Sequence, residues 1–196
     1  MTPTTPESAV AILDFWIHEV GPEGWYQAAA ALDERIRDAW LPLWSRARAG
    51  ELTSWQTTPE GALAFILLTD QFPRNMFRED PRAFATDHLA LRAAGKTIYR
   101  RWDMRLPEPE RQFFYLPLMH SESQSDQDRC VRLMLTRMPE AGPSSLLHAR
   151  AHREVIRRFG RFPYRNAALR RDCTAGERAF LDAGGYPALV RELDAA

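Results

Sequence analysis

The chain has 196 residues, 45% of them apolar and 27% charged, which suits one domain with a hydrophobic core of its own. Basic and acidic residues number 26 each, so the formal net charge is zero and no global field recruits nucleic acid or an acidic membrane. The two cysteines, Cys130 and Cys173, form no CxxC pair, which excludes a disulfide framework and zinc-finger spacing and fits a reducing cytoplasm.

The opening stretch, MTPTTPESAVAILDFW, lacks a basic leader and a long apolar segment, so no signal peptide is expected. From Glu7 to Val20 the apolar spacing predicts a first helix, entered through Pro6 and stopped by Gly21-Pro22. A long helix is predicted from about Tyr26 to Ala49, with Leu32, Ile36, Ala39, Trp40, Leu43 and Trp44 on one face, and Pro42 is expected to kink it or split it in two. Thr58-Pro59-Glu60 opens a third: a capping hydroxyl, Pro in the first turn and an acid beside it. It reads as apolar nearly all round, hence buried, and is expected to stop before Pro73. The run Ala62 to Leu68 within it is far too short to cross a bilayer, so no membrane partner is expected.

Further helices are predicted over 84–102 (capped near Thr86 or Asp87), 108–119, 121–137 and 144–159. Thr174 and Glu177 spell a capping box for a short helix ending at Gly184-Gly185, and Pro187 is read as the start of a last short turn. No β-alternation bounded by hairpin turns is present. The expected architecture is all-α: a single domain over residues 1–196, an antiparallel array of roughly seven to nine helices.

Two segments share their punctuation: DQFPRNMFR at 70–78 and FGRFPYRN at 159–166. Each can be read as a helix stop, because Pro cannot continue a helix, Arg satisfies orphan carbonyls and Asn tolerates a turn. Each can also be read as one side of an anion pocket, with Gln71, Arg74, Asn75, Arg78, Arg161, Arg165 and Asn166 as ligand-binding residues. Asp70 closes an apolar run, where a carboxylate needs a partner; Arg74, four residues on, is the natural one. Of the basic residues only Lys96 is lysine, and arginine is the side chain suited to bidentate contacts with carboxylate or phosphate.

His120 and Glu122 switch the chain from the core-like YLPLM to polar HSES, and with His152 and Asp70 they are the candidates for acid–base work. The competing reading of Ser121 and Ser123 is an N-cap. His148 and His152 lie at i, i+4, but the sequence is HARAH rather than HExxH, and no metal is expected. Without a Gly-rich phosphate loop or a GxSxG elbow, P-loop, dinucleotide and serine-hydrolase readings are disfavoured and no cofactor is expected. Cys130, beside Arg129 and Arg132, reads as a plain buried cysteine. Between His148 and Arg171 eight arginines accompany one acid, Glu154; ion pairing within a neutral protein accounts for that stripe better than nucleic acid does.

The stretches ILDFW (12–16), LTDQFPRNMFR (68–78), PRAFATDHLAL (81–91), FFYLPLMHSES (113–123) and HREVIRRFGRFPYRN (152–166) resemble the bacterial family known as domain of unknown function 924, over about residues 8–183. The resemblance implies an all-helical fold similar to tetratricopeptide-repeat-like domains. It implies no activity, so no catalytic residue carries over. His148 lies outside the family pattern, and Tyr164 stands where relatives often have a His. The first expectation is a pocket for a small anionic molecule or a peptide carboxylate, clamped by the arginines of the two segments. An enzyme using His120 or His152 with Glu122 or Asp70, in the manner of a hydrolase, is the alternative. A protein-interaction module without a small-molecule site is the third.

Overall fold

The apolar periodicities become helices throughout: the described residues, 4–195 of the computed structural model, form nine contiguous helical runs and no strand. Residues 1–3, which open the stretch read against a leader, and residue 196 lie outside the described ones. The chain divides into two compact units, one ending at Pro117 and the other beginning at Leu118.

In the first unit, α1 runs through Glu7–Leu13, a π-helical Asp14–Val20 and a final turn Gly21–Gly24. Helix α2 is Ala30–Arg48, with Pro42 held inside it rather than splitting it. Helix α3 joins Pro59–Ile66, a π-helical Leu67–Gln71 and Phe72–Met76. Helix α4 is Asp87–Tyr99. Where one helix was expected over 108–119, the chain makes a 3-10 turn, Glu110–Phe114, and the short α5, Leu116–Met119. Pro117 has no N–H for the Phe113 carbonyl four residues back, so one uninterrupted i→i−4 ladder over 108–119 does not form.

Helix α3 lies against α1, α2 and α4 and is buried from Pro59 to Pro73 except at Glu60. Its start is the expected one: the Thr58 hydroxyl accepts from the Gly61 N–H at 3.1 Å. Gly61 is required there, since a Cβ would sit 2.2 Å from the Trp55 carbonyl oxygen. The expected stop before Pro73 does not occur. A π turn, closed by Phe72 N–H on the Leu67 carbonyl, changes the hydrogen-bond register just ahead of the proline, and the helix continues to Met76. Pro73 has no N–H to offer the Thr69 carbonyl four residues back. The Thr86 hydroxyl donates to that carbonyl instead, at 2.6 Å, and accepts from Trp44 Nε1 at 3.1 Å. Thr86 is the N-cap residue of α4, as expected, yet its side chain serves α3 and makes no cap bond. Around α3 the aromatic core closes edge to face: Trp16 on Phe72 at 5.5 Å, and Trp25 on Phe113 at 4.7 Å with its Nε1 on the Trp16 carbonyl.

The second unit contains α6 (Gln124–Arg137), α7 (Gly142–Phe159), α8 (Ala175–Asp182) and α9 (Gly185–Asp194). Helices α6 and α7 are joined across residues 138–141 and pack on each other, and α9 packs on α7. Gly160, at φ 68°, ends α7 in the left-handed region that favours glycine, so the stop precedes Phe162-Pro163. The Thr174–Glu177 capping box forms as read. The short turn expected at Pro187 is a full helix, because Pro187 falls in the first turn of α9, where its missing N–H costs nothing. Ala151, Val155, Ile156, Phe162 and Leu189 form the core of this unit.

Thr86→Val keeps the shape of the side chain and removes the hydroxyl from between two buried groups. The expected loss is about 1–3 kcal/mol of stability, read by urea denaturation. In a Pro73→Ala background, where a backbone N–H becomes available to Thr69, the loss should be smaller; an equal loss in both backgrounds would separate Thr86 from the proline.

Candidate functional site

The candidate residues divide between the units. Asp70, Gln71, Arg74, Asn75 and Arg78 belong to the first; His120, Glu122, His152, Arg161, Arg165 and Asn166 belong to the second.

In the first unit, Asp70 lies in the π segment of α3, fully buried, and accepts from Gln71 Nε2 at 2.5 Å. Arg74 meets Asp87 at 2.8 Å and lies over the Phe84 ring at 4.6 Å. Asn75 and Arg78 reach α2: Asn75 Nδ2 donates to Asp33 Oδ1 at 2.8 Å, and Arg78 grips the same carboxylate with Nε and Nη2. Burial alone would push the Asp33 carboxyl up; Arg78, Asn75 and Arg37 together outweigh it and hold it below the usual range. Beside this carboxylate opens a cleft of about 390 Å³ whose charged lining is Asp33, Arg37, Arg78, Asp80 and Arg82. Arg37 donates Nε and Nη2 to the Met76 carbonyl, at 3.2 and 2.9 Å, at the C-terminal end of α3. Arg82 pairs with Asp80 and covers the Phe77 ring at 4.5 Å. Asp33, Arg37 and Arg82 escaped the sequence reading. Asp33 and Arg37 stand at i, i+4 on a charged helix, a pattern that reads as solvated surface.

In the second unit, Arg161 grips Glu177 with Nε and Nη2, at 2.6 and 2.8 Å, and also donates to the Asp172 carbonyl. Glu177 thereby serves the capping box and an ion pair at once. Glu122 accepts from both Nη atoms of Arg171 and from the Phe162 N–H. Burial would raise its carboxyl, but Arg171 and that N–H prevail and hold it low. Arg165 is 6% exposed and stacks on the Phe162 ring at 4.4 Å. Asn166 donates to Cys173 Sγ at 3.3 Å, while its Oδ1 is buried and meets no donor among the described residues. Along the basic stripe Arg157 and Arg158 share Glu154, and Arg153 lies 3.9 Å from Asp128. Burial pushes the Cys130 thiol up to about 12 against a backbone hydrogen bond from Met119, so it is no reactive thiolate.

Three rings gather at the middle of α7, where His148 and His152 stand one turn apart. His152 Nδ1 lies 2.9 Å from the His148 carbonyl and 3.0 Å from the Tyr186 hydroxyl, which is 2.7 Å from His148 Nδ1. His120 faces His152 at 6.3 Å between ring centres, and Phe162 and Tyr186 meet its ring edge to face. Tyr186 was not a sequence candidate; it sits in GGYP, which reads as punctuation, and it meets residues 34 and 38 positions away. Burial, then the neighbouring His120, push the His152 imidazole down to about 3, so it is neutral at pH 7. Among the described residues no three His, Cys, Asp or Glu side chains gather as a metal site.

The sequence model of a family described as bacterial protein of unknown function (DUF924) matches residues 12–185, and the chain belongs to that family. A solved protein of unknown function from Agrobacterium tumefaciens is 40% identical, over 89% of this chain and 96% of that one, with a TM-score of 0.83. No curated protein matches. Among the described residues no helix is long and apolar enough to cross a membrane.

Because His152 is held below the ordinary value of about 6.5, it contributes stability that is complete above that pH and is lost as pH falls toward about 3. This one group gives a slope of up to about 1.4 kcal/mol per pH unit. His152→Asn, whose amide keeps a donor near Nδ1, should flatten the fall in stability between pH 6.5 and 4.5, measured by chemical denaturation at both ends.

Proposed function

We propose that this member of the family binds a small molecule bearing a carboxylate or a phosphate, in the cleft beside Asp33. The observation that supports the reading is the charge of the lining: guanidinium groups from Arg37, Arg78 and Arg82 stand against the carboxylates of Asp33 and Asp80. Arg78 and Arg82 have a carboxylate each. Arg37 spends its two hydrogen bonds on a neutral carbonyl, so the surplus positive charge sits with it. A guanidinium anchored through two of its five donors keeps the rest for planar anion contacts.

Asp33 serves as the internal anchor of the site. It fixes Asn75 and Arg78, which come from the first of the two similar segments, so the cleft wall is ordered before a ligand arrives. The cleft volume suits a metabolite rather than a polymer, being at the small end of ligand pockets.

Thermal-shift measurements with inorganic phosphate, sugar phosphates, di- and tricarboxylates and short peptides test the reading. A ligand at 100 times its Kd adds about 2.7 kcal/mol of stability, and the shift should vanish in Arg37→Gln with the unliganded protein still folded. A panel without a shift, or a shift that survives Arg37→Gln and Arg82→Ala together, rejects the cleft as the site.

A further inference from the structure

The ring cluster of the second unit assigns its own protons. The His148 carbonyl can only accept, so the nitrogen 2.9 Å from it, His152 Nδ1, must carry a hydrogen. The Tyr186 hydroxyl, 3.0 Å from that same N–H, accepts from it and has its single hydrogen left for His148 Nδ1 at 2.7 Å. His148 Nδ1 is therefore the acceptor, with its hydrogen on Nε2. In His152 the lone pair is on Nε2, and the ring is fixed by two partners on its other side. These hydrogen positions follow from donor and acceptor chemistry alone.

We propose that His152, Tyr186 and His148 form a proton relay in which His152 Nε2 is the general base for a hydroxylic group, water or an alcohol, on a substrate with an aromatic or apolar body. The rings that meet His152 are Tyr186 and the fully buried Phe162; Tyr164 stacks on Phe162 and is 40% exposed, so it is the ring that such a body would meet first. The inference does not rest on the cleft beside Asp33.

In this step the substrate oxygen keeps the electron pair of its O–H bond and carries the negative charge that matches the imidazolium formed. The substrate O–H bond breaks as N–H forms at His152 Nε2. The Nδ1 proton of His152 passes to Tyr186 Oη as the Tyr186 hydroxyl proton passes to His148 Nδ1. His152 and Tyr186 end neutral, and His148 ends as an imidazolium. The relay answers a difficulty of the site: a charge on His152 is opposed by burial, His120, Arg165 and the His148 ring, which together outweigh the hydrogen bond to the His148 carbonyl that favours it. Only burial opposes one on His148. The groups around the pair are His120, Arg165 and Tyr164, the last acting on Tyr186. After transfer the His152 Nδ1 lone pair faces the His148 carbonyl, a repulsive arrangement that returns the relay to its resting tautomers once His148 releases its proton.

Two measurements on the full chain test this. Long-range 1H–15N spectra of labelled protein at pH 7 should show His152 protonated on Nδ1 and His148 on Nε2; the opposite tautomer of His152 overturns the assignment. Hydrolysis of p-nitrophenyl acetate, an aromatic ester open to attack by activated water, probes the base. Tyr186→Phe keeps the ring and breaks the relay, and should slow the reaction at least about tenfold while leaving the amide spectrum in place, as should His152→Gln. A wild-type rate no greater than that of free imidazole, or an unchanged rate in Tyr186→Phe, overturns the relay.

Discussion

A helix buried on nearly every side must satisfy its polar groups from within, and α3 sets that condition for the first unit. It carries a proline that cannot donate and an aspartate that cannot reach water. An unsatisfied buried carbonyl or carboxylate would cost more than a typical hydrogen bond returns. The π segment, the Gln71 amide and the Thr86 hydroxyl, held in turn by Trp44, are the local answers. The first two are internal to α3, and the last ties two other elements to it: Trp44 lies on α2, and Thr86 leads into α4. The end of the helix then presents Asn75 and the Met76 carbonyl, with Arg78 just beyond, to α2, where Asp33 and Arg37 receive them.

The arginine-rich composition becomes intelligible at this level. Within the zero net charge, several arginines are matched to carboxylates inside their own unit: Arg74 with Asp87, Arg78 with Asp33, Arg161 with Glu177, Arg171 with Glu122, Arg157 and Arg158 with Glu154. Exposed pairs of this kind stabilise a fold by little, since water screens them. Bidentate pairs fix geometry, however, and most of these are bidentate. Their effect is to hold loops and helix ends in place around the cleft and around the ring cluster. In the stripe along α7, read as ion pairing within a neutral protein rather than as a polyanion footprint, Arg157 and Arg158 are spent on Glu154.

How much of this the residues disclosed follows from range. Helix positions, the Thr58 start and the Thr174–Glu177 box were readable, because those signals lie within one turn of each other. The π segments were not: a change of hydrogen-bond register leaves the apolar spacing untouched. For that reason Pro73 looked like a stop and proved to be interior, while the matching Pro163 lies beyond a stop already made by Gly160. Identical punctuation thus has two different physical uses. Asp33, Arg37 and Tyr186 went unseen because their partners are distant in sequence, between 34 and 45 positions away for the contacts that matter. The long motifs pointed to the family and to an all-helical chain, and the comparisons agree on the family, but a family of unknown function carries no chemistry for its residues.

The Arg161–Glu177 clasp has a consequence for the chain between its ends. It closes a short loop that contains Tyr164, Arg165 and Asn166, and the closure is made by a carboxylate already immobilised as a helix cap. The entropy of confining that loop is therefore lost at folding, through a contact that also starts α8. Of the three only Tyr164 is exposed, Arg165 and Asn166 being buried, and whatever meets Tyr164 encounters a surface set in advance. Ordering it adds no further entropic barrier, so discrimination there depends on shape and donor placement rather than on the loop adapting to its visitor.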